Sequence, residues 1–322
     1  MKTDSQFAIM SAPLQGLTEA EFRQTHTQLF PMSRHPMRYF TPFVRIEKGE
    51  PRRRDIRDAT SAPLSGQAAT PQIICRDAEE FTILTNALAE RGIDRIDINL
   101  GCPFPPQVRR GRGAGLLGSP ERLGGIADAM RSFPAISFSV KMRLGASDAR
   151  EWTDSIGIIN SMPLEFVAIH PRTATQLYSG DLLLDQFAET LSATAHPVIY
   201  NGDITEPGQI DRLRERFPKI AGVMIGRGLL MRPSLCVEWE QGAQWPEEQR
   251  RAMALRLHAE ILDQYRQRLS GDSQILSKIK PFWEYIGTPF DRKAVKKIIK
   301  AGTIANYLTA VAALESSISA YS

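Results

Sequence analysis

Short apolar runs rich in Val, Ile and Phe recur along the first three quarters of the chain, at 7–10, 39–44, 72–75, 96–100, 137–142, 166–170, 198–201 and 222–226. Between them lie segments with Leu, Ile, Ala and Met at helical spacing, notably 19–29, 78–90, 120–132, 148–161 and 206–216. A strand followed by an amphipathic helix, repeated, buries both faces of a parallel sheet. Eight such units over about 230 residues predict a (β/α)8 barrel, the TIM-barrel form of the α/β class. Thr18, Asp77, Ser119 and Thr205 stand where helix caps are expected. At 322 residues, 42% hydrophobic and 24% charged, the chain has ample material for such a core.

The texture changes after Trp245-Pro246 to long helical segments without strands, at 247–269, 273–286 and 291–319. This predicts a barrel over 1–243 followed by an all-α helical domain over 244–322. Within that domain Lys293, Lys296, Lys297 and Lys300 share one helical face beside Arg292, with Lys278 and Lys280 upstream. Such a run is either a solvated face or a grip on a phosphate backbone. The formal net charge is only +4, but 40 basic residues are unevenly placed, and local clusters govern polyanion binding.

Three widely spaced cysteines, Cys75, Cys102 and Cys236, fit neither a disulfide framework nor paired-thiol metal spacing, so a reducing compartment and no metal are expected. The N-terminus lacks an extended apolar h-region, and no stretch approaches the ~18 apolar residues of a membrane span. A cytoplasmic, monomeric protein with no membrane partner is the expectation.

Cys102 stands where the run Ile96-Asp97-Ile98-Asn99-Leu100 gives way to Gly101-Cys102-Pro103 and the glycine-rich stretch 111–115. Pro103 biases Cys102 toward extended backbone and the glycines permit close approach, so the thiol is held rather than free. A lone cysteine is often a buried structural residue; its company points elsewhere. In barrels, chemistry gathers at the C-terminal ends of the strands. Those ends here carry Pro13-Leu14-Gln15, Arg45, Cys102, Lys141-Met142-Arg143, His170-Pro171-Arg172, Asn201-Gly202-Asp203 and Gly226-Arg227-Gly228, with Gln72 on the third strand. Each alone has a structural alternative: an inward ion-pair lysine, a hydrogen-bonded core histidine, a turn into a helix. Their convergence on one rim favours a site. The glycine amides and guanidinium after strands seven and eight fall where barrels bind phosphate. Lys141 and His170 then lie under the body of a phosphorylated cofactor, and a lysine beside an electron-rich ring suits flavin mononucleotide (FMN).

The ordered set Ala12-Pro13-Leu14-Gln15-Gly16, Asn99-Leu100-Gly101-Cys102-Pro103 with Gly113-Ala114-Gly115-Leu116-Leu117, Val140-Lys141-Met142-Arg143-Leu144-Gly145, His170-Pro171-Arg172-Thr173, Asn201-Gly202-Asp203-Ile204 and Ile225-Gly226-Arg227-Gly228 resembles the tRNA-dihydrouridine synthase family. Phe43-Val44-Arg45 and Ile279-Lys280-Pro281-Phe282-Trp283-Glu284-Tyr285 further resemble its bacterial C branch. The resemblance spans almost the whole chain. It implies an FMN-dependent enzyme that uses NADPH or NADH to reduce a tRNA uridine to 5,6-dihydrouridine, with a D-loop uridine as the target. It implies that Pro13, Leu14, Gln15, Gln72, Lys141, His170, Asn201, Gly202, Asp203, Gly226 and Arg227 hold the flavin. By the same resemblance Cys102 donates the proton, a role suited to a thiol with a raised pKa.

Asn99, Arg172 and Arg45 become candidate contacts to the uracil edge or nearby phosphates. Lys280, Arg292 and the four lysines at 293–300, with Arg109 to Arg112 and Arg52 to Arg54, become the candidate tRNA surface. The chain departs from the family pattern at Leu14, where methionine is commoner, at Pro171, where glycine is, and at Phe104-Pro105-Pro106-Gln107, where many members carry a lysine. An FMN barrel oxidoreductase acting on a small molecule of the dihydroorotate or enoate type shares the phosphate loops and lysine but has no need of a lysine-rich tail. A catalytically silent RNA-binding barrel has no need of Cys102, Lys141 and His170 together.

Overall fold

In the computed structural model, which describes residues 7–62 and 68–319, ten strands form one sheet. They are β1 (Ala8–Ser11), β2 (Arg38–Tyr39), β3 (Val44–Glu47), β4 (Glu50–Pro51), β5 (Gln72–Ile74), β6 (Arg95–Leu100), β7 (Ser137–Gly145), β8 (Leu164–Thr173), β9 (Val198–Tyr200) and β10 (Ile220–Ile225). Their order is β2-β1-β10-β9-β8-β7-β6-β5-β3-β4, and every pairing except the β3–β4 hairpin is parallel. The expected second strand over 39–44 is in fact two pieces, β2 against β1 and β3 against β5. Pro42 explains the break, since proline supplies no amide to a ladder. The ring closes across the gap: Phe40 bridges Thr70, and Thr41 N donates to the Thr70 carbonyl at 3.0 Å. The α/β barrel is therefore present, with its second strand split.

Helices α1 (Ala20–Leu29), α2 (Arg53–Ala59), α3 (Ala78–Ala89), α4 (Pro105–Val108), α5 (Pro120–Met130), α6 (Trp152–Ser161), α7 (Leu184–Ala193), α8 (Gly208–Arg216), α9 (Arg227–Met231) and α10 (Leu235–Gln241) follow the strands. Of the expected caps, Asp77 accepts from Glu80 N at 2.9 Å. Thr18 instead accepts from Leu14 N at 2.8 Å, holding the β1 loop, while Ser119 makes no side-chain cap and α8 starts beyond Thr205.

Strand alternation sorts the side chains. On β7, Phe138, Val140, Met142 and Leu144 face the helices in the main core, so Ser139, Lys141 and Arg143 point into the barrel. On β6, Ile96, Ile98 and Leu100 face out and Asp97 and Asn99 in. A plug of Met10, Ala12, Phe40, Phe166, Ala168, Ile199 and Met224 fills the barrel's interior beneath this polar layer.

The remaining helices are α11 (Glu247–Arg268), α12 (Asp272–Ile279), α13 (Trp283–Ile286), α14 (Arg292–Lys300) and α15 (Ile304–Ser319). The expected helix over 291–319 breaks at Ala301-Gly302-Thr303, and the one over 273–286 is interrupted by a 3-10 turn at Lys280–Phe282 around Pro281. The apolar cluster of the helical region takes in side chains of the barrel part. Phe22 and Phe30 of α1, with Leu17, Leu230 and Val237, pack in one cluster with Leu257, Ile261, Tyr265, Phe282 and Trp283. No helix among the described residues is long and apolar enough to cross a membrane.

Candidate active site

A cavity of about 550 Å³ opens at the C-terminal ends of the strands, within the size range of small-molecule and cofactor sites. Of the residues expected at the site, Pro13, Leu14, Gln15, Gln72, Asn99, Cys102, Lys141, His170, Asn201, Gly202, Asp203, Gly226 and Arg227 all line it. Arg172, Arg45, Lys280, Arg292, Lys293, Lys296, Lys297 and Lys300 do not.

A row of hydrogen bonds fixes the cavity's polar wall. Ser139 Oγ and Gln72 Nε2 donate to the two carboxylate oxygens of Asp97, at 2.6 and 2.7 Å. Gln72 Oε1 accepts from Asn99 Nδ2 at 2.7 Å, and Asn99 Oδ1 accepts from the amides of Cys102 and Gly101 at 2.7 and 3.0 Å. With these bonds made, Gln72 and Asn99 each keep one amide hydrogen for a ligand. Burial pushes the Asp97 carboxyl up, against the hydrogen bonds from Gln72 and Ser139 and the charge of Lys141.

Cys102 is half-buried and its backbone is clamped from both sides. The glycine-rich stretch does this at close range. Gly113 has φ +59°, and a Cβ there would lie 2.7 Å from the Cys102 Cβ; the next amide, Ala114 N, donates to the Cys102 carbonyl at 3.2 Å. The glycines thus approach the thiol's own segment. Burial pushes the Cys102 thiol up, opposed by a backbone hydrogen bond at Phe104 and by the charges of Arg143 and Lys141. The cations that sequence left unseen therefore stand nearby, and the thiol remains a proton carrier.

Lys141 faces the cavity without a hydrogen-bond partner among the described residues, and burial, with the neighbouring Arg143, brings its ammonium down to about 8. Arg143 is buried, donates to the Thr173 carbonyl at 2.6 Å, and is held by burial at about 10. His170 is pushed well below its ordinary value by burial and by Lys141, Arg143, Arg172 and Arg227, so it is neutral. Its Nε2 accepts from Arg172 at 3.3 Å, which places the proton on Nδ1, unpartnered within the described protein.

Asp203 sits at φ +42° and accepts from Arg172 at 2.5 Å and from Arg227 at 2.6 Å. Burial favours its neutral form, yet the hydrogen bonds and charges of the two arginines hold the carboxyl below the usual range. Each of its oxygens thus holds one guanidinium, and Asp203 orients the two arginines. Arg172, expected to touch substrate, is 3% exposed and binds Asp203, His170 and the Gly180 carbonyl. It positions the wall from behind. Asn201 is similarly committed through Nδ2 to the Met224 carbonyl at 2.7 Å. Gly228 has no alternative residue: a Cβ would meet the Ile204 carbonyl at 1.8 Å, so only glycine lets α9 start against the Ile204 loop.

Arg45 lies 4.0 Å from Asp55, outside the cavity. Arg112, expected in the tRNA surface, is buried in a two-pronged pair with Glu80, and Arg52 pairs with Glu47 and Asp55. Lys278 pairs with Glu19 across the barrel–tail junction. Arg292, Lys293, Lys296, Lys297 and Lys300 are exposed on α14 and make no ion pair among the described residues, while half-buried Lys280 sits on the 3-10 turn.

Sequence reasoning missed the cavity residues Tyr178, Glu284 and Tyr285. The Tyr178 ring lies 4.7 Å from the Arg227 guanidinium and 5.2 Å from that of Arg143. It comes from an irregular loop, and Glu284 and Tyr285 arrive from α13 of the tail, so no periodicity marks them. Arg143 and Asp97 were legible in the strand alternation.

Comparison with known proteins agrees with this architecture. The old yellow enzyme from Trypanosoma cruzi superposes with a TM-score of 0.51 at 11% identity, over 74% of this chain and 88% of that one, a likeness of fold. A probable tRNA-dihydrouridine synthase 2 of Bacillus subtilis is 27% identical over 261 residues, 79% of this chain and 78% of that protein. A probable tRNA-dihydrouridine synthase of Mycobacterium tuberculosis is 35% identical over 173 residues, 52% of this chain and 44% of that protein. The family profile "Dihydrouridine synthase (Dus)" matches residues 10–302, spanning both the barrel and most of the tail. With that span matched and the barrel-mouth site in place, the chain belongs to the dihydrouridine synthase family of flavin-dependent oxidoreductases.

Proposed function

We propose that this protein reduces one uridine of tRNA, in the D-loop, to 5,6-dihydrouridine, with FMN in the barrel-mouth cavity and NADPH or NADH as reductant. The observation that carries this reading is one cavity holding a protonated thiol, an unpartnered lysine and a neutral imidazole. The cavity fits FMN by its donor set. Lys141 and the Nδ1–H of His170 have no hydrogen-bond partner among the described residues, Gln72 keeps one amide hydrogen, and the Arg227 and Gly228 amides that open α9 lack intrahelical acceptors beside the Arg227 guanidinium. Lys141 offers positive charge to the ring, and Arg227, Gly226 and Gly202 border the phosphate end. Pro13, Leu14 and Gln15 line the same cavity, with Leu14 beside Gly226.

Bound there, reduced FMN supplies the hydride that adds to one carbon of the uracil 5,6-double bond. Cys102 gives its thiol proton to the adjacent carbon, and solvent reprotonates the thiolate, so the two hydrogens of the product are accounted for. The raised thiol pKa keeps Cys102 loaded at neutral pH. The remaining amide hydrogen of Asn99 faces the same space and orients the uracil edge. The exposed cations of α14 hold the tRNA backbone, and the target uridine leaves its stack to enter the cavity.

The test is nucleoside analysis of tRNA from cells lacking the gene, restored with wild type or with Cys102→Ala. Loss of dihydrouridine at one position, rescued only by wild type, is expected. Unchanged dihydrouridine would overturn the reading in favour of a small-molecule flavin oxidoreductase.

A further inference from the structure

Beside the active-site cavity lies a second one of about 600 Å³, formed by the β3–β4 hairpin, the start of α3 and the segment after Cys102. Five cationic residues line it, Arg45, Lys48, Arg76, Arg110 and Arg112, against two acidic ones, Glu47 and Glu80. Both carboxylates are already engaged: Glu80 by Arg112 and Arg76, Glu47 by Arg52. Lys48 and Arg110 make no ion pair among the described residues, and Arg45 reaches Asp55 only at 4.0 Å. Arg76 also pairs with Asp77 at 3.0 Å, so the uncompensated positive charge of the cavity, among the described residues, is that of Lys48 and Arg110.

Phe104 borders the same space and is 57% exposed, the highest exposure of any large hydrophobic residue among those described. Its backbone is fixed, since its carbonyl accepts from Gln107 N and Val108 N at 2.8 and 3.1 Å at the proline-led start of α4. A single exposed aromatic needs no explanation on its own. With its backbone held at the edge of a cationic cavity, it sets a stacking face beside phosphate-binding groups. The hairpin tip adds to this: Lys48 adopts φ +54°, a conformation unfavourable for lysine, and thereby completes a tight turn over the cavity.

We propose that this cavity binds an unstacked nucleotide of the RNA strand next to the target uridine, its base on the Phe104 ring and its phosphate on Arg45, Lys48 and Arg110. The inference rests on the tRNA reading above. Phe104 is two residues from Cys102, a reach of at most about 7 Å along the chain, so a strand with one base at the thiol passes its neighbour over Phe104. Stacking is tolerant of base identity, so the site holds position more than sequence.

The test uses the flavin-loaded enzyme without reductant and an unmodified tRNA transcript. Phe104→Trp is expected to show fluorescence quenching on tRNA binding beyond that of the native tryptophans in wild type, and Arg110→Ala in that background removes the excess. Phe104→Ala weakens tRNA binding about tenfold, Arg110→Ala lowers the salt dependence by about one phosphate contact, and both leave flavin reduction by NADPH unchanged. Filter binding run in parallel separates the failures. tRNA bound with no excess quench overturns this site alone. No tRNA bound overturns it together with the tRNA reading. Equal quenching by polyglutamate reassigns the cavity to acidic polypeptide and also overturns the proposal.

Discussion

Lys141 has no counter-charge in contact among the described residues, and burial brings it to about 8. A ligand that needs the protonated form is held best below that value and progressively lost above it. The affinity of the flavin-free protein for FMN should therefore fall as pH rises through about 8, measured by quenching of flavin fluorescence. Lys141→Met should bind about tenfold more weakly with that pH dependence removed; a variant that keeps the dependence would mean another group is responsible. His170 does not confuse the measurement, because it is already neutral well below its ordinary range. Asp97 makes a second argument at this scale. A carboxylate that accepts on both oxygens forces Gln72 to turn its amino group inward, which turns its carbonyl toward Asn99 and the Asn99 carbonyl toward the Cys102 amide. Asp97→Asn breaks that polarity by offering a donor. It should cost roughly 1–3 kcal/mol and slow the half-reaction with tRNA about tenfold while leaving flavin reduction by NADPH intact. Equal slowing of both half-reactions in stopped flow would show a merely structural role.

Among elements, the glycine-rich segment after β6 shows how a loop can be as constrained as a strand. A Cβ at Gly115 would lie 2.4 Å from the Val108 carbonyl, and one at Gly113 crowds Cys102, whereas Gly118 has nothing within 4 Å. Gly115→Ala should lower stability by about 2 kcal/mol or more, and Gly113→Ala should add a loss of turnover by displacing the thiol. Gly118→Ala should stay within about 0.5 kcal/mol, as read by urea midpoints; equal effects at all three would mean the packing is not the cause. The strands were legible in the sequence because their outward residues, such as Phe138, Val140 and Met142, repeat at period two against helices. The rim residues followed from knowing where strands end. The split at Pro42 was also written there as a missing amide. Tyr178 and Tyr285 were not, because what brings them to the cavity is the path of one loop and the docking of α13, neither of which has a local signature. Arg172 and Asp203 were legible as rim residues, but the burial of Arg172 away from the cavity and its pairing with Asp203 were not, since both depend on neighbours distant in sequence.

Beside the barrel's own core, a second core crosses the boundary where strands stop. Phe22 is fully buried on α1, stacks on Phe282 with ring centroids 6.2 Å apart, and belongs to the same cluster as Trp283 and Ile261 of the tail. Polar ties reinforce the seam: Gln264 donates to Thr25 at 2.7 Å, Arg268 pairs with Glu21 at 2.5 Å, and Lys278 pairs with Glu19. The seam matters for function because α13 delivers Tyr285 and Glu284 to the cavity wall, and the lysine face of α14 is carried by the same tail. Barrel and tail should then unfold together. Trp283 fluorescence, isolated by replacing Trp152, Trp239 and Trp245 with Phe, should report the same urea midpoint as the fluorescence of Trp152 in the barrel core, isolated by replacing the other three. Phe22→Ala should cost about 3–5 kcal/mol and move both signals equally, although the residue touches neither the thiol nor the cofactor wall. A chain cut after residue 243 should lose solubility as Leu17, Phe22 and Phe30 meet water. Two separated transitions, or a soluble and flavin-binding truncated barrel, would instead make the tail an independent domain and leave its orientation to the RNA.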